Sequence, residues 1–307
     1  MTPTAASPIF IAGPTASGKS AVALELANRL VGEIISVDSM QVYRGLDIGT
    51  AKPTASERQQ IPHHLIDVAE LSEAFDAARF VHLAKEAVEQ INSRGHVPIF
   101  CGGTGLYFKA YLEGLGESPA ADPALRAELE SIPLSQLLTE LEQRDPVAFG
   151  RIDRANARRV VRAIEVIRLT GRPYSEQRTG WKTETERDVS LMFFGISRAT
   201  DDLRQRIDVR VDAMFRTGLA EETRQLLEQG LEQNRTAMQA IGYRQVVEHL
   251  RGERSLPETI ALVKIRTRQF AKRQMTWFRR QAPVNWIEVR PDDSATMIAN
   301  GIIGRLD

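Results

Sequence analysis

The sequence predicts an α/β fold, a parallel sheet flanked by helices and interrupted by a mostly helical insertion. Three observations carry this. The apolar runs Ile9–Ala12, Ile34–Val37 and Val97–Cys101 read as short buried strands. Helical patterns separate them, as they do in βαβ units. The stretch from Gly114 to Pro123, rich in Gly, Pro and Ala, reads as a hinge-like linker into an arginine-rich helical region, and Leu191–Ile196 then looks like a strand returning to the sheet.

The first strand leads into Gly13-Pro14-Thr15-Ala16-Ser17-Gly18-Lys19-Ser20, and Ala21–Ala27 behind it reads as a helix. Gly, four residues, then Gly-Lys-Ser, between strand and helix, is the P-loop pattern in its proper context, so the sheet is expected to be P-loop NTPase-like. The glycines let successive backbone N–H groups point at a phosphate, and the helix start adds positive potential. Lys19 brings a mobile charge, and the Ser20 hydroxyl can ligate Mg²⁺. The site binds a di- or triphosphate; the motif does not say which.

The second strand ends in Asp38. Ligands in open α/β sheets sit at the carboxyl ends of strands, so this carboxylate either faces whatever the loop holds or caps a turn. Met40–Pro53 shows no helical period and reads as a functional loop rather than a packed element. His63 and His64 are adjacent, so on a strand they point to opposite faces, which favours a structural role over metal ligation. Asp76–Ile91 reads as an amphipathic helix, with Ala77, Phe80, Val81, Ala84 and Val88 at helical spacing. Val97–Cys101 runs into Gly102-Gly103-Thr104-Gly105, a turn at which backbone can approach a ligand closely. An ordinary nucleotide-hydrolysing enzyme places an acid there to hold Mg²⁺; glycines and Thr104 in its place count against a simple ATPase.

Within the insertion, Ala124–Leu129 and Ser135–Gln143 are helical patterns. A further helix from Asn156 is stopped by Gly171 and Pro173. Val160, Ala163, Ile164 and Ile167 share one face of it, and Arg158, Arg162 and Glu165 lie on another. Seven arginines against two acids between Arg151 and Arg172 make either a solvated basic face or a contact for an anion. Asp202–Arg216 is helical, and Met238–Gln245 is expected to open the next helix. Lys264–Arg280 carries seven basic residues and no acid, interleaved with Phe270, Trp277 and Phe278. Cations neutralise phosphates and rings stack on bases; the alternative is a helix whose aromatics pack inward beneath a solvated basic face.

Composition bounds the rest. With 307 residues, 42% hydrophobic and 26% charged, the chain is an ordinary globular protein of about two domains. The formal net charge is zero, so a nucleic-acid partner has to be argued from local clusters of charge. The lone Cys101 fits a reducing compartment. No apolar run is long enough to span a bilayer, and Met1–Pro8 lacks the features of a signal peptide. A cytoplasmic protein with no membrane partner is expected.

Taken together, the motifs resemble the tRNA dimethylallyltransferases (tRNA isopentenyltransferases). The matching pieces run from Gly13–Ser20 through Asp38–Arg44, Asp47–Pro53, Pro62–Asp67, Gly102–Tyr107 and Gly242–Gln245 to Lys272–Arg279. The resemblance implies transfer of a dimethylallyl group from dimethylallyl diphosphate to N6 of adenosine 37, beside the anticodon of a tRNA. The cradle would then hold a departing diphosphate, on the backbone of Gly13, Pro14, Thr15, Ala16, Ser17 and Gly18, on Lys19 and Ser20 with Mg²⁺, and on Arg210. Asp38 would act as general base or orienting acceptor for the amine, and Thr104 would complete the site, with Lys19 as the third catalytic residue. The resemblance places tRNA contacts on Asp38, Ser39, Met40, Gln41 and Thr104, and on Arg126, Arg158, Arg159, Val160, Val161 and Arg162. It adds Gln239, Ala240, Ile241, Gly242, Tyr243 and Arg244, and Lys272, Arg273, Gln274, Met275, Thr276, Trp277, Phe278 and Arg279. An insertion over residues 122–187 would clasp the anticodon stem-loop, on a core of residues 1–121 and 188–307, in a chain expected to act as a monomer. Ser20 stands where threonine is commoner in the family and keeps the hydroxyl. A small-molecule kinase shares the cradle but leaves Lys264–Arg280 unexplained; an RNA-binding protein without covalent chemistry would leave the RNA's mass unchanged.

Overall fold

In a computed structural model, residues 6–114, 119, 121–177 and 192–306 are described. The chain divides into two compact units, Met1–Tyr111 with Asp188–Asp307, and Leu112–Arg187. The second unit begins at Leu112, close to the linker that composition placed at Gly114; the family resemblance implied an insertion from Asp122.

The first unit opens with β1 (Ile9–Ala12), α1 (Lys19–Leu30), β2 (Gly32–Val37), α2 (Ala55–Gln60), β3 (His63–His64), α3 (Ala77–Ser93) and β4 (Val97–Gly102), followed by α4 (Gly105–Glu113). The second unit holds α5 (Pro123–Ser131), α6 (Leu134–Arg144), α7 (Pro146–Arg151), α8 (Ala157–Thr170) and α9 (Tyr174–Gln177). The first unit resumes with β5 (Met192–Arg198), α10 (Thr200–Thr217), α11 (Leu219–Glu228), α12 (Tyr243–Leu250), α13 (Leu256–Gln281), β6 (Asn285–Val289) and α14 (Ala295–Ile303). Leu191, the first residue of the expected returning strand, lies outside the described residues, as do Gly116 and its neighbours in the expected linker.

The six strands form one sheet in the order β3-β2-β4-β1-β5-β6, and every pair is parallel. β1 is central because all four of its side chains are apolar and buried on both faces. On one face Val22, Leu26, Ile298 and Ile302 of α1 and α14 pack against Ile9, Ile11 and Ile99. On the other lies an aromatic layer in which Phe10 stacks on Phe100 at 4.9 Å and Phe108 meets Phe278 edge-on at 5.8 Å. Local caps set the helix starts. Asp76 accepts from Arg79 N at 2.9 Å, and Ser255 with Glu258 forms a capping box ahead of α13.

The structure corrects three expectations drawn from the sequence. Met40–Pro53 is irregular, yet Val42, Tyr43 and Leu46 are fully buried, so this loop is packed into the core. Glu165 is not on a solvated face of α8. It is fully buried, and its carboxylate accepts from Arg126 at 2.6 Å, Arg162 at 2.7 Å and Asp122 N at 3.0 Å. Met238–Gln245 does not open a helix at its first residue. A 3₁₀ turn, Ala237–Gln239, comes first, Gly242 takes a φ of +104°, and the helix begins at Tyr243.

The adjacent histidines read as structural residues. His63 Nδ1 pairs with the Ile61 carbonyl at 2.7 Å, and His64 Nε2 donates to Glu33 at 2.6 Å. Glu33 is buried at the start of β2 and also accepts from Arg94 through two bonds of 2.8 Å and from His96 at 2.8 Å. Burial alone would raise its carboxyl, but these donors outweigh burial and hold it at about 2. A carboxyl depressed from its ordinary 4.5 contributes stability that is complete above that value and is lost as pH falls toward about 2. Glu33→Gln is therefore expected to lower unfolding free energy at neutral pH by about 2–3 kcal/mol. The variant should also flatten the acid limb of the stability profile, measured by urea unfolding between these pH values.

Candidate active site

The carboxyl ends of β1, β2 and β4 converge on one cavity of about 350 Å³. The loop after β1 is the cradle. Gly18 sits at φ +96° and Ala16 at +64°, left-handed conformations that turn the chain into the N-terminus of α1. A Cβ on Gly13 would press on the Ile196 carbonyl at 2.8 Å, so only glycine lets the loop leave β1 beside β5. Lys19 Nζ donates to the Pro14 carbonyl at 3.3 Å. Among the described residues, the buried Ser17 hydroxyl has no hydrogen-bond partner.

Two arginines hold the loop from outside. Arg198 Nε donates to the Ser17 carbonyl at 2.7 Å while its guanidinium pairs with Asp202 at 2.9 Å, and Arg206 Nε donates to the Ala16 carbonyl at 3.0 Å. These contacts occupy the Ala16 and Ser17 carbonyls from outside the loop. Gln274, on α13, ties the cradle to the β4 turn. Its Oε1 accepts from Thr15 N at 2.9 Å, and its Nε2 donates to the Gly103 carbonyl at 3.0 Å. The glycines of that turn serve this packing. A Cβ on Gly103 would overlap the Gln274 amide, one on Gly105 the Trp277 ring, and one on Gly102 the Val37 backbone. The close approach expected toward a ligand is thus made to α13 and β2.

Asp38 follows β2. Its Oδ1 accepts from Met40 N at 2.9 Å and Gln41 N at 3.4 Å. Thr104 Oγ1 accepts from Ser39 N at 3.1 Å, so its own proton remains to be donated. Gln41 Oε1 accepts from Ser36 Oγ at 2.9 Å, and its amide donates to the Thr50 carbonyl at 3.2 Å. Among the described residues Asp38 is the one carboxylate lining the cavity, against Lys19, Arg210 and Arg273. Burial lowers the pKa of Lys19, with the charge of Arg210 acting in the same direction and that of Asp38 against it. Burial also lowers Arg210, and Asp38 opposes it. Two desolvated cations facing one carboxylate leave net positive charge, which an anion would neutralise.

The remaining wall is apolar. Val211 and Met214 of α10, Ile241, and Val263 and Phe270 of α13 line it. Sequence reading missed this wall, because its residues recur at helical spacing like any core stripe. Cys101 also lines the cavity; burial pushes its thiol up to about 11, so it is a neutral group at the floor.

Gly13–Ser20, Asp38–Gln41, Thr104, Arg210, Gln239–Ile241, Arg273 and Gln274 were expected at the site, and most of them line this one cavity. The other expected RNA contacts stand apart from it. Arg126 and Arg162 pair with Glu165 in the second unit, where Val160 and Val161 are buried beside Arg158 and Arg159 on α8. Tyr243 and Phe278 are fully buried, so neither ring can stack on a base in this conformation. Arg244 pairs with Glu248 at 3.3 Å, and Arg279 lies over Trp286 at 5.9 Å. Lys272, Thr276 and Trp277 line a separate surface groove. Nor is Lys264–Arg280 uncompensated: Lys264 pairs with Asp212 at 2.7 Å and Arg268 with Asp208, both on α10.

Arg210→Gln removes one half-buried cation while keeping a polar side chain, and should weaken binding of inorganic pyrophosphate by about 1.5–3 kcal/mol, the size of a charged hydrogen bond. Titration calorimetry checks this; unchanged affinity would place the anion elsewhere.

Residues 41–281 match the family described as IPP transferase. Over 293 residues, spanning 94% of this chain and 95% of the relative, the sequence is 47% identical to tRNA dimethylallyltransferase 1 of Trichlorobacter lovleyi. Over 284 residues, 91% of this chain and 92% of the relative, it is 47% identical to tRNA dimethylallyltransferase of Geobacter metallireducens. Among solved structures it is similar to the full-length tRNA isopentenylpyrophosphate transferase of Bacillus halodurans, with a TM-score of 0.70, 42% identity, and coverage of 98% of this chain and 96% of that one. It is also similar to a eukaryotic dimethylallyltransferase acting on tRNA, with a TM-score of 0.82, 29% identity, and coverage of 98% and 80%.

Proposed function

The chain belongs to the IPP transferase family, and on that premise we propose that it transfers the dimethylallyl group of dimethylallyl diphosphate to N6 of adenosine 37 in tRNA, releasing diphosphate. The observation that carries this is a single cavity that combines a phosphate cradle, an apolar wall and one carboxylate. An allyl diphosphate needs cradle and wall at once.

The bond between the allylic carbon and the diphosphate oxygen breaks, and a bond from that carbon to N6 forms. Charge builds on the leaving oxygens, where Lys19, Arg210 and the N–H groups of Gly18, Lys19 and Ser20 at the start of α1 stabilise it. Val211, Met214, Val263 and Phe270 seat the hydrocarbon and keep water from the allylic carbon. Asp38 takes the N6 proton, its carboxylate held in place by the N–H groups of Met40 and Gln41. The Thr104 hydroxyl, already accepting from Ser39, donates a hydrogen bond toward the leaving diphosphate.

Mg²⁺ fits beside Ser20, whose exposed hydroxyl lines the cavity at the start of α1. When bound there it would supply further charge for the leaving group, with diphosphate oxygens and water completing its shell.

Adenosine 37 must leave its stack in the anticodon loop to enter the cavity. Gln239, Ile241 and Arg273 line the cavity wall and would meet the flipped base. The exposed cations Lys272 and Arg280, with Trp277, would meet the anticodon stem-loop outside it. The second unit would clasp the same stem-loop through Arg126 and Arg158–Arg162. On this reading the chain acts as a monomer. Among the described residues no helix is long and apolar enough to cross a membrane, and the reading proposed here is of a cytoplasmic enzyme acting on tRNA.

Mass spectrometry of tRNA incubated with enzyme, dimethylallyl diphosphate and Mg²⁺ should show a gain of one isopentenyl unit on adenosine 37; an unmodified tRNA would defeat the proposal. Asp38→Ala should slow single-turnover transfer at least about a hundredfold with tRNA affinity retained. The double variant Lys272→Glu with Arg280→Glu should weaken tRNA binding, and the slope of log affinity against log salt should fall by about one for each phosphate it no longer neutralises.

A further inference from the structure

We infer that Glu222 and Tyr243 form a latch that positions Asp38 from outside the cavity, acting through the Ile48–Ala51 loop and Gln41. The inference rests on the transfer reaction proposed above. Tyr243 opens α12 and is fully buried. Its hydroxyl accepts from Gly49 N at 3.0 Å and donates to Glu222 Oε1 at 2.5 Å. Glu222, on α11, also accepts from Ile48 N at 2.9 Å. Two successive backbone N–H groups of the loop are thereby held by two side chains from far along the sequence. Gly49 is confined from the other side too, since a Cβ there would overlap the Tyr243 ring.

What the latch holds is the cavity edge. Gly49, Thr50 and Ala51 line the cavity, and the Thr50 carbonyl accepts from the Gln41 amide at 3.2 Å. The Gln41 oxygen accepts from Ser36 at 2.9 Å, and the Gln41 backbone N–H donates to Asp38 at 3.4 Å. Hydrogen bonds joined by two covalent steps, Gly49 to Thr50 and the Gln41 side chain to its own backbone, thus lead from Glu222 to the carboxylate that takes the N6 proton. Burial raises the Glu222 carboxyl, so the acid is kept here against a desolvation cost that an apolar side chain would not carry. Neither Glu222 nor Tyr243 is among the residues that line the cavity. Glu222 and Tyr243 are therefore positioning residues, and Tyr243 serves the RNA site without touching RNA.

Tyr243→Phe keeps the ring and the packing and removes only the hydroxyl. It is expected to lower kcat about tenfold, as a small misplacement of a catalytic group does, with KM for tRNA and for dimethylallyl diphosphate little changed. Amide hydrogen exchange at Ile48 and Gly49 should speed up in the ligand-free variant. Glu222→Gln, which keeps an oxygen for Ile48 N–H, should retain more activity than Glu222→Ala. Because Tyr243 acts through Gln41, the double variant Tyr243→Phe with Gln41→Ala should be no slower than the slower single variant, a non-additivity expected of one path. Wild-type kcat in Tyr243→Phe, multiplicative losses in the double variant, or a loss confined to KM for tRNA would each overturn the latch. A wild-type chain that fails to modify tRNA would instead overturn the reaction on which it rests. The exchange measurement needs no substrate, and unchanged exchange at Ile48 and Gly49 would rule out the latch independently.

Discussion

The side chain of Gln274 joins two loops that leave different strands. Its amide bonds the phosphate cradle after β1 through Thr15 and the glycine turn after β4 through Gly103. The cavity exists because these loops are held at a fixed separation. Three further features follow from that one interaction. The turn must be glycine at Gly102, Gly103 and Gly105, since any side chain would occupy the place of Val37, Gln274 or Trp277. The helix carrying Gln274 must pack against the sheet, which it does by burying Phe278 against Phe108 and Phe193. Its opposite face is then left to carry cations. A single helix is thus core on one side, site wall at its middle and charged surface on the other.

Charge is handled differently in different places. At the far end of the sheet, Glu33 is surrounded by Arg94, His64 and His96. In the second unit, Glu165 gathers Arg126 and Arg162, and Arg168 is shared by Glu128 and Glu140. These are satisfied networks, and they hold helices in register. In the cavity the balance is left open. Lys19 and Arg210 are half-buried, face Asp38 as the one carboxylate among the described lining residues, and are both lowered by desolvation. A desolvated excess of positive charge costs stability in the empty protein and is relieved by an anion, which is how a folded chain stores affinity for a diphosphate.

The apolar wall gives this electrostatic site its selectivity. A charged leaving group beside hydrocarbon is a poor environment for hydrolysis and a good one for transfer to an amine that arrives with its own nucleic-acid scaffold. On the proposed reaction, the substrate's charged and greasy halves would meet Lys19 and Arg210, and Val211, Met214, Val263 and Phe270, which line the same cavity.

The sheet and the cradle were legible in the sequence because they are local. Buried strands and the spacing of Gly13, Gly18, Lys19 and Ser20 depend only on near neighbours in the chain, as does the placing of Asp38 at a strand end. The family resemblance rested on short contiguous motifs of the same kind. What only the tertiary structure decided is set by contacts between distant segments. Glycines that read as a ligand turn receive α13, a basic run that read as uncompensated meets Asp208 and Asp212 of α10, and Tyr243 and Phe278, which read as RNA contacts, lie in the core. The wall built from Val211, Met214, Val263 and Phe270 was invisible for the same reason. A side chain's period places it on a helix face, but which neighbour that face meets, another helix or a cavity, is settled only when the helices pack.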